Sequence, residues 1–162
     1  MEAKKIGTLI VGLGNPILGD DGVGWKVAEE VKKQLTTNKP VDVDCLSLGG
    51  ISLMEHLIGY DHAILIDALA LEESPGSILI LKLSDLPNYS AFHTTSTHDT
   101  TLQNAIELGK SMGARLPDDI TVVGIATKRA FDFSEKLSPP IEEAVPLAAK
   151  FVLEILSEKM QV

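Results

Sequence analysis

Apolar residues form short continuous runs along the chain, separated by stretches in which they recur at helical spacing. The runs at 6–11, 62–68 and 120–126 have strand length and predict strands buried on both faces. Residues 41–48 alternate between apolar and polar side chains, which predicts a further strand. A fifth strand is predicted over 77–83, after a Pro-Gly turn, pairing antiparallel with its predecessor or lying at an edge.

The intervening stretches predict amphipathic helices at 22–36, at 51–58, from near Thr97 or Asp99 to about 112, and from 139 to about 158. Thr97 and Asp99 are suitable N-cap residues for the third helix. Pro146 is expected to kink the last helix or split it into two pieces. Alternating strands and helices predict the α/β class: a three-layer α/β/α sandwich with a mostly parallel five-stranded sheet, in a single domain over residues 1–162.

Net charge narrows the possible partners. The chain carries 14 Lys and Arg against 23 Asp and Glu, a formal charge of −9, which disfavours nucleic acid as a partner. The only cysteine, Cys45, lies in a predicted strand and excludes an intramolecular disulfide, as expected in a reducing compartment. No apolar run approaches the ~18 residues of a spanning helix, so we expect a cytoplasmic protein without membrane insertion.

A glycine-rich loop follows the first strand, over residues 12–24. Its spacing does not fit a dinucleotide fingerprint, and Asp20 and Asp21 stand where a Walker loop needs Lys and Ser or Thr. Two carboxylates there would repel phosphate, which excludes nucleotide binding but leaves a cation possible. Because one of two adjacent carboxylates is expected to serve the positive end of the following helix, we assign Asp20 to that role. Asp21 remains a candidate ligand.

Two more candidates are expected at the same place, since ligands of such sheets bind beyond the carboxyl ends of the strands. Asp67 ends an otherwise apolar strand, where it is either functional or hydrogen-bonded to loop amides. His98 stands at the predicted start of the third helix, whereas His56 and His62 are expected to be structural or exposed. Two carboxylates and an imidazole suit a borderline divalent ion such as nickel, zinc or iron.

Nucleophiles are poorly supported by the sequence. Cys45 has no neighbouring histidine, Ser96 belongs to a polar loop, and the chain has no G-x-S-x-G elbow.

Trp25 falls off the apolar stripe of the first helix, which indicates either a partner contact or partial coverage by a neighbouring loop.

Four short motifs together resemble those of the nickel–iron hydrogenase maturation proteases. They are Gly14-Asn15, Asp20-Asp21-Gly22-x-Gly24, Asp67-Ala68 and Thr97-His98. The resemblance spans most of the chain. It implies an aspartic-type endopeptidase that removes the C-terminal extension of the hydrogenase large-subunit precursor after nickel insertion. It further implies that Asp21, Asp67 and His98 are the catalytic, metal-contacting residues, that the precursor supplies the nickel, and that the enzyme is a monomer. Residues 124–129 depart from the family's pattern, which leaves the role of that loop open.

Two other interpretations compete with this one. The run from Val11 to Pro16 is also similar to the opening of peptidyl-tRNA hydrolase, but the resemblance stops at Asp20-Asp21, and the acidic charge is wrong for tRNA. A nickel-sensing maturation chaperone that does not cut is the non-enzymatic alternative, because the sequence contains no self-contained nucleophile.

Overall fold

The computed structural model describes residues 7–86, 100–128 and 132–160. The strands are β1 (Thr8–Leu13), β2 (Val41–Leu46), β3 (His62–Ala70), β4 (Ile78–Lys82) and β5 (Asp119–Thr127). The helices are α1 (Val23–Gln34), α2 (Gly50–Leu57), α3 (Leu102–Ser111) and α4 (Pro139–Met160), with short 3-10 turns at Gly19–Gly22 and Leu83–Asp85. These elements confirm the predicted α/β class.

The five strands form one sheet in the order β2-β1-β3-β5-β4, parallel except for β4. Of the two alternatives predicted for β4, the structure confirms the edge position and not the antiparallel pairing with its predecessor, β3. β3 is already paired with β1 on one side and with β5 along its full length on the other, so β4 pairs with β5 instead. The connection from β1 leads outward to β2, whereas the chain after β3 continues to the opposite side of the sheet. The point where the strand order reverses therefore lies between the carboxyl ends of β1 and β3.

Helices cover the sheet on both faces. α1 and α4 pack against each other on one face and α2 and α3 on the other. Each face encloses its own buried apolar cluster, and Tyr60 is the only aromatic side chain among the buried core residues described. The core is thus aliphatic, as the continuous apolar runs of the strands require.

Two predicted boundaries differ from the structure. α3 begins at Leu102 and is capped by Thr101, whose hydroxyl oxygen accepts a hydrogen bond from the Asn104 N–H at 3.2 Å. The caps predicted at Thr97 or Asp99 are therefore wrong, because a threonine nearer the apolar stripe takes that role. β3 continues for three residues beyond Asp67, because its pairing with β5 runs on to Ala70 and Thr127.

Pro146 does not split the last helix, which runs unbroken from Pro139 to Met160. The ring lies on the exposed side of α4, where the carbonyl of Glu142, deprived of its helical partner, can bond to water. Ala144 and Ala148 on the opposite side are buried against the sheet. Packing of the apolar face therefore outweighs the missing hydrogen bond.

None of the helices in the described ranges is long and apolar enough to cross a membrane.

Candidate active site

The glycine loop after β1 folds back toward the sheet at Gly14. This residue has φ +143°, and a Cβ there would lie 2.0 Å from the carbonyl oxygen of Asp21. The Gly14 N–H donates to the Leu46 carbonyl at 3.1 Å, and the Ser47 hydroxyl donates to the Gly14 carbonyl at 2.5 Å. The end of β2 thus fixes the start of the loop, and only glycine fits at its turning point.

Asp21 lies in the 3-10 turn at Gly19–Gly22, and only 3% of its surface is exposed. Its Oδ2 accepts a hydrogen bond from the backbone N–H of Asn15 at 2.9 Å. The side-chain oxygen of Asn15 accepts in turn from the Ile17 N–H at 3.1 Å. Asn15 therefore orients the carboxylate and closes the loop in front of it, a role that the sequence alone did not reveal.

Asp67 is fully buried in β3, opposite Gly124 of β5. It is the first residue of β3 beyond the ladder with β1, which ends at the pair formed by Gly12 and Ile66. The side chain therefore stands where β1 has already left the sheet, at the reversal point of the strand order. Burying a carboxylate completely costs free energy unless hydrogen bonds or opposite charges around it compensate.

Close backbone packing brings the segments of Asp21 and Asp67 to one place. A Cβ at Gly24, in the first turn of α1, would lie 2.3 Å from the Leu13 carbonyl oxygen and 2.5 Å from that of Ile66. The turn that carries Asp21 also packs against β3. The structure thus brings the segments of these two predicted residues together at the carboxyl end of the sheet.

Asp20 does not cap α1, contrary to the sequence-based assignment. Its carboxylate accepts hydrogen bonds from the Ser138 N–H at 2.7 Å and from the Ser138 hydroxyl at 2.8 Å. α1 has no side-chain cap; the 3-10 turn leads into it instead. Ser138 directly precedes Pro139, the first residue of α4, so Asp20 fixes the start of the last helix. Serine followed by proline is a helix-start signal that would have identified Ser138.

His98, the third predicted ligand, lies outside the described residues, as do Ser96 and Arg129. Across the described ranges, no group of three or more His, Cys, Asp or Glu side chains could hold a metal ion. The described part of the site therefore contributes two carboxylates. His56 is exposed on α2, and His62 lies at the opposite end of the sheet beside Asp119, with 3.5 Å between Nδ1 and Oδ2.

Cys45 and Trp25 pack together beside the loop. Burial, followed by the nearby carboxylates of Glu29 and Asp44, raises the pKa of the Cys45 thiol, which disfavours the reactive thiolate. Trp25 is half-buried, and its Nε1–H donates to the Leu46 carbonyl at 3.1 Å. Partial coverage, one of the two alternatives for Trp25, is therefore what the structure shows.

Residues 124–127 of the departing segment form the end of β5, and the exposed Lys128 follows.

Comparison with known proteins identifies the family. A family model described as hydrogenase maturation protease matches residues 25–155. The hydrogenase expression/formation protein HoxM of Azotobacter vinelandii is 27% identical over 159 residues, covering 98% of this chain and 75% of HoxM.

Two solved structures share the fold. The Escherichia coli hydrogenase maturating endopeptidase HybD superimposes with a TM-score of 0.76 at 24% identity, covering 94% of this chain and 93% of HybD. The hydrogenase 2 maturation peptidase of Thaumarchaeota archaeon SCGC_AB-539-E09 gives a TM-score of 0.66 at 28% identity, covering 93% and 98%. The family match extends over well more than half of the chain, and the fold agrees with it. This chain therefore belongs to the hydrogenase maturation protease family.

Proposed function

We propose that this protease removes the C-terminal extension of a nickel–iron hydrogenase large-subunit precursor after nickel has been inserted. The observation that carries the proposal is the arrival of two buried carboxylates, Asp21 and Asp67, at the reversal point of the sheet in a member of this family. The proposal includes action in the cytoplasm as a monomer.

Asp21, Asp67 and His98 contact the nickel of the precursor in this proposal. Carboxylate oxygens and an imidazole nitrogen form a donor set that suits a borderline divalent ion and leaves positions for ligands from the substrate. The nickel is thus part of the substrate, and the protease recognises a precursor that contains it. The hydrogen bond from the Asn15 N–H to the Asp21 carboxylate supports this role. Carboxylates that bind metals are oriented by hydrogen bonds from neighbouring groups that do not themselves touch the metal.

Two routes can break the peptide bond at such a site. In one, the precursor's nickel polarises the scissile carbonyl and activates the attacking water. In the other, Asp21 or Asp67 acts as general base, takes a proton from water, and the metal serves only for recognition. In both routes the water oxygen bonds to the carbonyl carbon, the carbon–nitrogen bond breaks, and the leaving amine takes up a proton.

Mass spectrometry of the precursor, with and without nickel and before and after incubation, tests the proposal. Loss of a C-terminal peptide from the nickel-loaded precursor alone is expected. A stable complex without a change of mass would instead indicate the non-proteolytic nickel-sensing chaperone.

Single substitutions test the residues. Asp21→Asn, Asp67→Asn and His98→Ala are each expected to lower the cleavage rate at least ~100-fold, since even outer-shell partners of metal sites contribute 10–100-fold. Asp118→Asn is the matched control, because that side chain is 95% exposed at the other end of the sheet and pairs with Lys110. Full activity in all three site variants would contradict the assignment.

A further inference from the structure

A short ribbon forms at the rim of the carboxylate site, where the glycine loop meets the segment before α4. Leu18 and Ser134 form an isolated parallel bridge. The Ser134 N–H donates to the Ile17 carbonyl at 2.9 Å, and the Gly19 N–H donates to the Ser134 carbonyl at 2.7 Å. Two segments far apart in sequence are therefore held side by side.

This ribbon presents two large apolar side chains to solvent. Ile17 is 48% exposed and Phe133 is 85% exposed. Each directly precedes one member of the parallel bridge, so the two residues lie on neighbouring backbone segments beside that bridge. We call Ile17 and Phe133 the apolar pair. Two large apolar side chains exposed on neighbouring segments offer an apolar contact surface to another molecule.

Hydrogen bonds connect the apolar pair to the turn that carries Asp21. The Ile17 N–H is bound by the Asn15 side chain, and the Asn15 N–H is bound by the Asp21 carboxylate. The Asp21 N–H also donates to the Leu18 carbonyl at 3.2 Å. A segment seated on Ile17 and Phe133 is therefore positioned relative to Asp21 by a continuous set of hydrogen bonds.

We propose that the apolar pair binds an apolar segment of the large-subunit precursor next to the bond that is cut. This inference rests on the proposed function and assigns a positioning role to residues outside the carboxylate set. A few well-placed apolar contacts supply much of the affinity of a peptide contact. Ile17 lies on the loop that holds Asp21, and the bridge keeps Phe133 beside it, so the same loop contacts the substrate and presents the carboxylate.

A second copy of this chain fits the apolar pair less well. Two side chains cover far less than the ~800 Å² per partner of a stable protein interface. Two copies would also each carry a net charge of −9 and repel each other at low salt. A peptide segment needs neither the area nor the charge match of a dimer.

Steady-state kinetics on nickel-loaded precursor tests the inference. Ile17→Ser with Phe133→Ser is expected to raise KM about tenfold with little change in kcat, because the lost contact serves binding. Met112→Ser is the matched control, since Met112 is 79% exposed just beyond α3 and far from the ribbon in the chain. If the double variant is unstable, Phe133→Ser alone replaces it, because that side chain is almost fully exposed.

The outcomes separate this inference from the proposed function. If wild-type protein cuts the precursor and the variant has the same KM, the inference is wrong and the proposed function stands. If wild-type protein does not cut, the proposed function fails. Sedimentation of wild type and variant completes the test: a wild-type dimer that the substitutions dissociate would assign the apolar pair to a second copy and overturn the inference.

Discussion

Two carboxylates at the amino end of the sheet are paired with cations, while a third, that of Asp42, accepts from the Tyr60 hydroxyl. Asp61 contacts Arg115, and Asp119 contacts Lys159 and His62. At the carboxyl end, by contrast, Asp20 is held by the N–H and hydroxyl of Ser138, and Asp21 accepts from a backbone N–H. Neutral donors orient a carboxylate without cancelling its charge. Cations thus hold Asp61 and Asp119 at one end of the sheet, and donors of the backbone and of Ser138 orient Asp20 and Asp21 at the other.

Burial separates the two ends further. Asp21 and Asp67 are 3% and 0% exposed, whereas the side chain of Asp119 is 44% exposed. An exposed ion pair contributes little to stability, while a buried carboxylate is costly and persists where a site requires it. Substitutions at the carboxyl end are therefore expected to have large effects on stability or cleavage, and those at the amino end small ones.

The largest effect on stability is expected for Gly24→Ala. The new methyl group would lie 2.3 Å and 2.5 Å from carbonyl oxygens of β1 and β3, so α1 must move away from the sheet. We expect a loss of about 3 kcal/mol or more in the free energy of unfolding, measured by urea denaturation.

Gly113→Ala is the control for that substitution. Gly113 has φ +87° but no atom within 4 Å of its would-be Cβ, so alanine there meets only the backbone strain, roughly 1–2 kcal/mol. Equal losses in the two variants would mean that the carboxyl end is not fixed by close packing, which would remove the basis of the comparison.

An intermediate effect is expected for Asp20. Asp20→Ala removes both hydrogen bonds to Ser138 and is expected to lower the free energy of unfolding by about 1–3 kcal/mol, measured from denaturation midpoints. Asp20→Asn should lose less, because its amide oxygen can still accept from the Ser138 N–H and its amide nitrogen can donate to the hydroxyl oxygen.

Cleavage assays of the same position sharpen the difference between the adjacent carboxylates. Asp20→Asn is expected to retain most of the cleavage rate, whereas Asp21→Asn should lose it. Equal losses would show that both carboxylates serve the reaction and that the structural role of Asp20 is incomplete.

The sequence predicts those features that depend on local pattern. The apolar runs placed β1, β3 and β5 to within about two residues, and the class of the fold followed from the alternation of elements. Asp67 stood out because a charged residue is unusual at the end of an otherwise apolar strand. Asp21 stood out because it is one of two carboxylates standing where a phosphate-binding loop needs Lys and Ser or Thr.

Features that depend on contacts between distant segments could not be predicted in this way. The partner of Asp20 is 118 residues away, and the ribbon of Ile17 and Phe133 requires the conformations of two loops at once. Pro146 is tolerated because its side of α4 faces solvent. The helical periodicity of the segment does not by itself reveal that the helix continues through a proline. Tertiary packing, rather than local preference, decides these cases.

The smallest effect is expected at the amino end, for Asp119→Asn. Burial alone would raise the pKa of the Asp119 carboxyl, but the hydrogen bond and charge of Lys159 outweigh it and lower this pKa in the folded protein. Because the unfolded pKa is the higher one, about 3.9, the stabilisation is present above pH ~4 and is lost as pH falls through the folded value. Asp119→Asn should therefore cost less than about 1 kcal/mol at pH 7, and urea denaturation midpoints of variant and wild type should converge toward pH 3. A loss as large as that of Gly24→Ala, or one that persists in acid, would show that the amino end also depends on a buried charge.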